Sequence, residues 1–490
     1  MKSDYDSKEK VHKRAEEILG IPFGELAKDV NSKKTKNSVG DLFESWFGKA
    51  RDSASEPDLG VSELKATPYI KRKGGQYSAK ERLVLNIINY QNLADEEFET
   101  SHFYHKNKVI ELAFYEYIKD KPRSEWTFSE VALFEMAKNP TDYAIIRNDW
   151  DKIQRYVKEG HAENLTESLT DYLAACTKGA NAQSLRTQPY SDVKAKQRAF
   201  SLKTSYMTQL LREYILGDKK SDFILKNSRE AADKSLADVL IEKLSPYFGQ
   251  NSIDICTELG VKIRPGIKNY NSLLIRAMLG FDTSKKSGLD NISELNKASY
   301  LIKTVQFDYA GTNSESMSFP SFKFKDLVQE QWKDEDNNPS AKLNILMSES
   351  TFVFAIFQHS SVDNEESDNV FKGIKFYKMP QAIINNEIYC VWQDTIDTLN
   401  EGVKLWRDGR GIRNNFVNAG DQRVIHVRPH AGYASYIDNG YANELPVPSR
   451  WLGDEKDKPR QFSSQYMTNQ CFFLNNKFIR DIVRDLVQIH

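Results

Sequence analysis

Two stretches of this chain recur in the same order in its second half, and that recurrence limits the folds open to it. The segment 271-NSLLIRAMLG-280 repeats the pattern of 39-VGDLFESWFG-48. Likewise 472-FFLNNKFIRDIVRDL-486 repeats that of 200-FSLKTSYMTQLLREYIL-216, near the end of each half. One amphipathic helix resembles another by chance; two ordered pairs favour duplication. With 490 residues the chain can build two or three domains, each with its own core. The polar run 218-DKKSDFILKNSREAADKS-235 reads as the linker between domains at 1–217 and 236–490.

Periodicity in the first half mixes helix and strand. Helical spacing covers 11–26, broken by Gly20 and Pro22, and 39–48, where Leu42, Phe43, Trp46 and Phe47 share a face and Gly48 is a stop. Strand character marks 61–67, 83–90 and 109–118, and helices are expected over 126–137, 142–175 and 205–217. The fold class is therefore α/β in the broad sense, a mixed α+β arrangement. In the second half, 359–369 and 453–460 read as surface loops.

No apolar run reaches the roughly 18 to 20 residues of a membrane helix, and the charged N-terminus has no signal-peptide core. A cytoplasmic protein is expected. Cys176, Cys256, Cys390 and Cys471 lie far apart without a CxxC pair, which argues against structural zinc and for buried free thiols. A net charge of -1 gives no global attraction to nucleic acid, so binding would need local clusters. Candidates are Lys33, Lys34 and Lys36; Lys71, Arg72 and Lys73; Lys194, Lys196, Arg198 and Lys203; and Arg407, Arg410 and Arg413. Each alone is an ordinary solvated face.

The sharpest local signal is 57-PDLGVSELK-65. Alternation along a strand puts Glu63 and Lys65 on one face, and Asp58 in the preceding turn can fold back towards them. Two carboxylates with a backbone carbonyl form a hard oxygen set suited to Mg²⁺. Such a cation polarises a phosphodiester while a lysine orients water or offsets charge. Asp, Glu and Lys are common enough for this pattern to arise by chance, as a salt-bridged strand face. Glu44 on the helix upstream, and the cations on both sides, suit a polyanionic substrate better than a structural strand.

At this point the chain resembles a known family. The segments 33-KKTKNSVGDLFESWFG-48, 57-PDLGVSELKATP-68, 99-ETSHFYHK-106 and 172-YLAACTKGANAQSL-185 look like the ordered signature of MutH, the GATC-nicking mismatch-repair endonuclease. Over its whole length the chain is similar to type II restriction endonucleases of the Sau-three-A kind, which cut GATC and carry two MutH-like domains in tandem. The resemblance implies a PD-(D/E)xK fold, a mixed central sheet flanked by helices, present twice. It implies Asp58, Glu63 and Glu44 as metal ligands, Lys65 as the catalytic lysine, Lys106 as a further active-site lysine and Lys36 as a DNA contact. His102 and His105 are left as structural.

The resemblance also locates the DNA-reading positions. The Arg-Pro-Lys loop of MutH corresponds to Cys176, Thr177 and Lys178 in the first half, and its later tyrosine to Ser201, with Lys203 two residues on. A serine leaves room beside adenine, so methylation of GATC is not expected to block cutting. In the second half Arg276 stands for Glu44, and Asn296 and Leu301 for Asp58 and Glu63; Lys303 alone is kept. Without carboxylates that half cannot hold Mg²⁺, yet Arg428, Pro429 and His430 fill the loop and Phe473 the tyrosine position. The expectation is a Mg²⁺-dependent restriction endonuclease acting on double-stranded GATC DNA as a homodimer, cutting before the G to leave four-base 5′ overhangs. Its second domain would bind DNA as a regulatory module. A methylation-directed nickase and a non-catalytic GATC-binding protein are the alternatives.

Overall fold

The computed structural model describes residues 5–29, 39–49, 56–71, 77–179, 184–217, 222–264, 266–284, 288–334, 337–365, 369–409 and 411–488. Lys33, Lys34, Lys36, Arg72, Lys73 and Arg410 lie outside them. The first expected helix forms as two, Lys8–Glu16 (α1) and Phe23–Asp29 (α2), parted where Gly20 adopts φ +76. Next come Val39–Trp46 (α3) and the strands Glu63–Lys71 (β1), Tyr77–Ala79 (β2) and Leu83–Ile87 (β3). Two short helices, Tyr90–Leu93 (α4) and His102–Asn107 (α5), lead to Val109–Glu116 (β4) and Phe128–Glu135 (β5). The long helix Pro140–Lys158 (α6) precedes Leu173–Thr177 (β6), Leu185–Gln188 (β7), Ser191–Lys196 (β8), Arg198–Leu202 (β9) and Thr204–Leu216 (α7).

The main sheet of this half has the order β2-β1-β4-β5, with β1 and β4 parallel and the outer pairs antiparallel. A second sheet runs β3-β9-β6. Alternation along β1 divides the residues into two faces. Leu64 joins Ala113, Phe128 and Val131 in a core covered by Val11, Ala15 and Ile18 of the α1 region and by Leu42 and Phe43 of α3. Glu63 and Lys65 take the other face. Glu111, level with Leu64 across the parallel pair, is fully buried and accepts from His12 Nδ1 at 2.9 Å.

Two expected helices are corrected. Residues 126–137 contain β5, paired with β4; a register shift between Phe114 and Tyr115 breaks the period-two pattern and leaves a spacing that mimics a helix. The helix expected over 142–175 ends at Lys158, where Gly160 turns the chain with φ +72, and its last residues form β6. Cys176 and Cys471 are buried as expected, whereas Cys390 is exposed and Cys256 half-buried.

The chain divides into two compact units, one of residues 1–240, 289–301 and 335–338, the other of 241–288, 302–334 and 339–490. The stretch expected as a linker is thus largely packed into the first unit: Asn148 donates to the Ala231 carbonyl, and the Ile224 and Leu225 N–H groups donate to Glu294. Lys297 is buried there between Asp142 (2.8 Å) and Glu213 (3.3 Å). The second unit holds sheets of strand order Tyr300–Phe307, Thr351–His359, Asn369–Lys378 and of order Met317–Phe322, Gln470–Leu474, Ile425–Pro429. Among the described residues no helix is long and apolar enough to cross a membrane.

Phe43 is 1% exposed and contacts the rings of Phe47 and Phe128 at 5.4 and 5.5 Å, directly behind the helix face that carries Glu44. Phe43→Ala should lower the stability of the first unit by about 3–5 kcal/mol. The check is a fall in the corresponding calorimetric transition; an unchanged profile would show that this core does not hold α3 to the sheet.

Candidate active site

Asp58 stands in a turn closed by the Gly60 N–H on the Pro57 carbonyl (2.9 Å), with Gly60 at φ +75, a conformation a side chain would strain. Leu59 beside it is sunk in the α1–α3 core, so the turn cannot swing away. Asp58 Oδ2 accepts from the Leu64 N–H at 3.0 Å, and the Asp58 N–H donates to Glu63 Oε2 at 3.2 Å. Each acid is therefore fixed by the other's backbone segment.

Lys65, two residues along β1, donates to Glu63 Oε1 at 2.6 Å. Lys106, in the last turn of α5, lies 3.8 Å from the same oxygen. Asn107 next to it ties down that helix end, donating to the Phe103 carbonyl and to Asn86 Oδ1. Lys49, which sequence reasoning did not single out, lies 3.8 Å from Asp58 Oδ1. Its only advance signal was a lysine directly after the Gly48 stop.

Glu44 completes the acidic group electrostatically. Burial first, then Asp58, Asp41 and Glu63, push its carboxyl up to about 7 against the pull of Lys65. Glu63 is raised too, chiefly by burial and by Asp58, with Lys65 and Lys106 opposing. Acids this crowded and this buried favour a multivalent cation, whose charge relieves both effects. As the side chains stand, no three acid, imidazole or thiol groups among the described residues converge on one point. Lys65 and Lys106 lie against Glu63 Oε1, and Lys49 against Asp58 Oδ1. The donor chemistry suits a hard divalent ion.

Other expected contacts fare differently. Lys178 is half-buried at the end of β6, its N–H bonded to the Gln197 carbonyl. Ser201 is fully buried on β9, opposite Ala174. Lys203 does not offer its charge to a ligand: it is 1% exposed and donates to the Thr170 carbonyl at 2.5 Å. Arg198 is also turned inward, onto the Ala175 and Leu165 carbonyls. His105 pairs with Glu56 at 2.6 Å, and His102 meets the Asn86 amide at 3.5 Å.

In the second unit Arg276 is buried, donating to the Gly288 carbonyl, with its guanidinium 5.2 Å from the Phe281 ring. Asn296 and Leu301 fall within the first compact unit: Asn296 donates to the Asp290 carbonyl, and Leu301 and Lys303 share one face of the strand Tyr300–Phe307. Arg428 and His430 are exposed beside Phe473, at 5.4 and 6.1 Å from its ring.

A Glu44 carboxyl raised to about 7 holds its proton to higher pH in the folded protein than in the unfolded chain. Its contribution to stability is full below the ordinary glutamate range and is lost as pH rises through about 7. A cation displaces that proton, so its affinity should increase with pH. Calorimetric titration with Ca²⁺ should show tighter binding at about pH 8 than at about pH 6, with proton release. Glu44→Gln should flatten the dependence; equal affinity at both pH values would remove Glu44 from the cluster.

Comparison with known proteins places the chain in a family. The family profile described as "DNA mismatch repair enzyme MutH" matches residues 47–149, which hold Asp58, Glu63, Lys65 and Lys106. The chain is 27% identical to the DNA mismatch repair protein MutH of Vibrio campbellii, over 44% of this chain and 98% of that one. Against MutH of Escherichia coli the figures are 26%, 43% and 94%. With the type II restriction enzyme Sau3AI of Staphylococcus aureus it shares 45% identity over 99% of both chains. This chain belongs to the family of type II restriction endonucleases represented by Sau3AI, with a MutH-related segment in its first half.

Proposed function

We propose that the chain hydrolyses double-stranded DNA at GATC, on the 5′ side of G, through one centre formed by Asp58, Glu63 and Lys65. The observation that carries this is the reciprocal bonding of Asp58 and Glu63 with Lys65 at 2.6 Å, on a strand flanked by Lys106. Asp58, Glu63 and Glu44 would hold Mg²⁺. Such an ion, when bound, lowers the pKa of a coordinated water and polarises the phosphate. Lys65 lies where it can offset charge developing on the phosphate, and Lys106 adds a second cation on the same side. Glu44, which holds its proton up to about pH 7 before a cation arrives, lessens the charge in the cluster.

The second half of the chain, 236–490, reads as another copy of the same scaffold. In the first unit β6 pairs with β9 as Leu173↔Leu202, Ala174↔Ser201 and Cys176↔Ala199. In the second, the pairs are Ile425↔Leu474, His426↔Phe473 and Arg428↔Cys471. The flanking bonds also match: Lys178 N–H to Gln197 and Lys203 N–H to Tyr172 correspond to His430 N–H to Asn469 and Asn475 N–H to Val424. This parity supports the alignment that gives the second copy Arg276, Asn296 and Leu301 where acids stand in the first. Such a copy cuts nothing. Arg428, His430 and Phe473 suit it to binding a DNA site, with Lys36 and Lys178 serving the first copy; Ser201, fully buried, offers DNA no contact and only its small size bears on recognition. One centre per chain cuts one strand, so a double-strand break calls for a homodimer on the palindrome.

Asp58→Ala or Glu63→Ala should abolish cleavage while GATC duplex is still bound in Ca²⁺, whereas Lys303→Ala should leave cleavage nearly intact. A plasmid with one GATC site should become linear in Mg²⁺; accumulation of nicked circles alone would favour a nickase, and shifted but uncut DNA a binding protein. With Ser201 facing Ala174, adenine-methylated GATC should be cut about as fast as unmethylated DNA. Protection by methylation would refute that part.

A further inference from the structure

Lys49 is held to the acidic cluster by the way α3 ends. Its N–H reaches back to the Glu44 carbonyl at 3.1 Å, while the Gly48 N–H bonds the Ser45 carbonyl at 2.9 Å with Gly48 at φ +70. This paired closure is the common glycine stop of a helix, and it makes Glu44 and Lys49 move as one body. The Lys49 side chain is only 16% exposed and its Nζ faces Asp58 Oδ1 at 3.8 Å. The other Asp58 oxygen is already used by the Leu64 N–H. Oδ1 is thus the oxygen of Asp58 left for a cation, and Lys49 stands against it. Lys65 and Lys106 crowd Glu63 Oε1 from the strand and from α5. Cations therefore reach the acids from three separate elements, and Lys49 is the one on the Asp58 side.

We propose that Lys49 is a further working residue of this centre: it neutralises Asp58 Oδ1 until a divalent cation takes that oxygen, and then pairs with a phosphate of the bound DNA. The proposal rests on the nuclease reading of Asp58 and Glu63. It gives two effects of opposite sign. A lysine that competes for Oδ1 weakens binding of the cation to the free protein. The same lysine strengthens DNA binding once the cation is in place, because a phosphate contact contributes counterion release.

The test uses the full chain with Lys49→Ala, Lys49→Met, which keeps the apolar stem, and Lys49→Arg, which keeps the charge. Calorimetric titration with Ca²⁺ in the absence of DNA should show binding about threefold to tenfold tighter for Ala and Met. For GATC duplex in Ca²⁺, the slope of log affinity against log salt should shrink by about 0.9 in both variants. Cleavage in Mg²⁺ should fall at least about tenfold in both, mainly through KM, and Lys49→Arg should stay close to the parent in all three assays. Unchanged or weaker Ca²⁺ binding, or an unchanged salt slope in a variant with native melting behaviour, overturns the proposal. Asp58→Ala, run alongside, separates the two readings: if it still cuts DNA the nuclease centre itself is misplaced, and if it does not, the Lys49 results stand on their own.

Discussion

The arrangement of the site depends on one exchange of hydrogen bonds, between Asp58 and the first residues of β1. Two carboxylates this close repel, and each loses solvation by being buried. A flexible turn would let them separate. Here separation would leave the Leu64 N–H without its acceptor and would pull Leu59 from the core. Burial first, and the repulsion after it, are retained as raised proton affinity on Glu63 and Glu44 rather than released by movement. On the proposed reading, such constraint preorganises the cluster for a divalent ion, which would gain affinity from the relief of that repulsion.

Much of this was legible in the sequence because it rests on short-range rules. Alternation placed Glu63 and Lys65 on one face, the Pro-Asp-Leu-Gly turn returned Asp58 to it, and Gly48 stopped α3. What could not be read depends on pairing partners. β5 carries a helix-like spacing and becomes a strand because β4 offers an open edge and a bulge absorbs the extra residue. The run Lys194, Lys196, Arg198, Lys203 looks like one basic patch. It passes from β8 into β9, every residue of which is buried, and the last two cations serve backbone carbonyls. Lys49 was missed for the opposite reason: a lysine after a helix stop is ordinary until the fold brings Asp58 to it.

The two units show how one backbone register accommodates different chemistry. At the centre of the β6–β9 pair the first unit has Ala174 and Ser201, small enough that the sheet face stays low. The matching pair in the second is His426 and Phe473, with rings stacked at 5.6 Å. Burial, and then Arg428, push the His426 imidazole down to about 4, so it is neutral at ordinary pH and adds no charge beside the arginine. The stack raises a rigid aromatic platform under Arg428, whose guanidinium lies 5.4 Å from the Phe473 ring. A planar cation supported on a ring loses little freedom on meeting a guanine edge. Small residues stand at this place in the unit that holds Asp58 and Glu63, and the platform stands in the other. On the proposed reading, duplication relaxes two demands at once. One scaffold need not both grip a divalent ion and read bases tightly, and substitutions that would damage either task in a single domain are tolerated when the tasks are held by different copies.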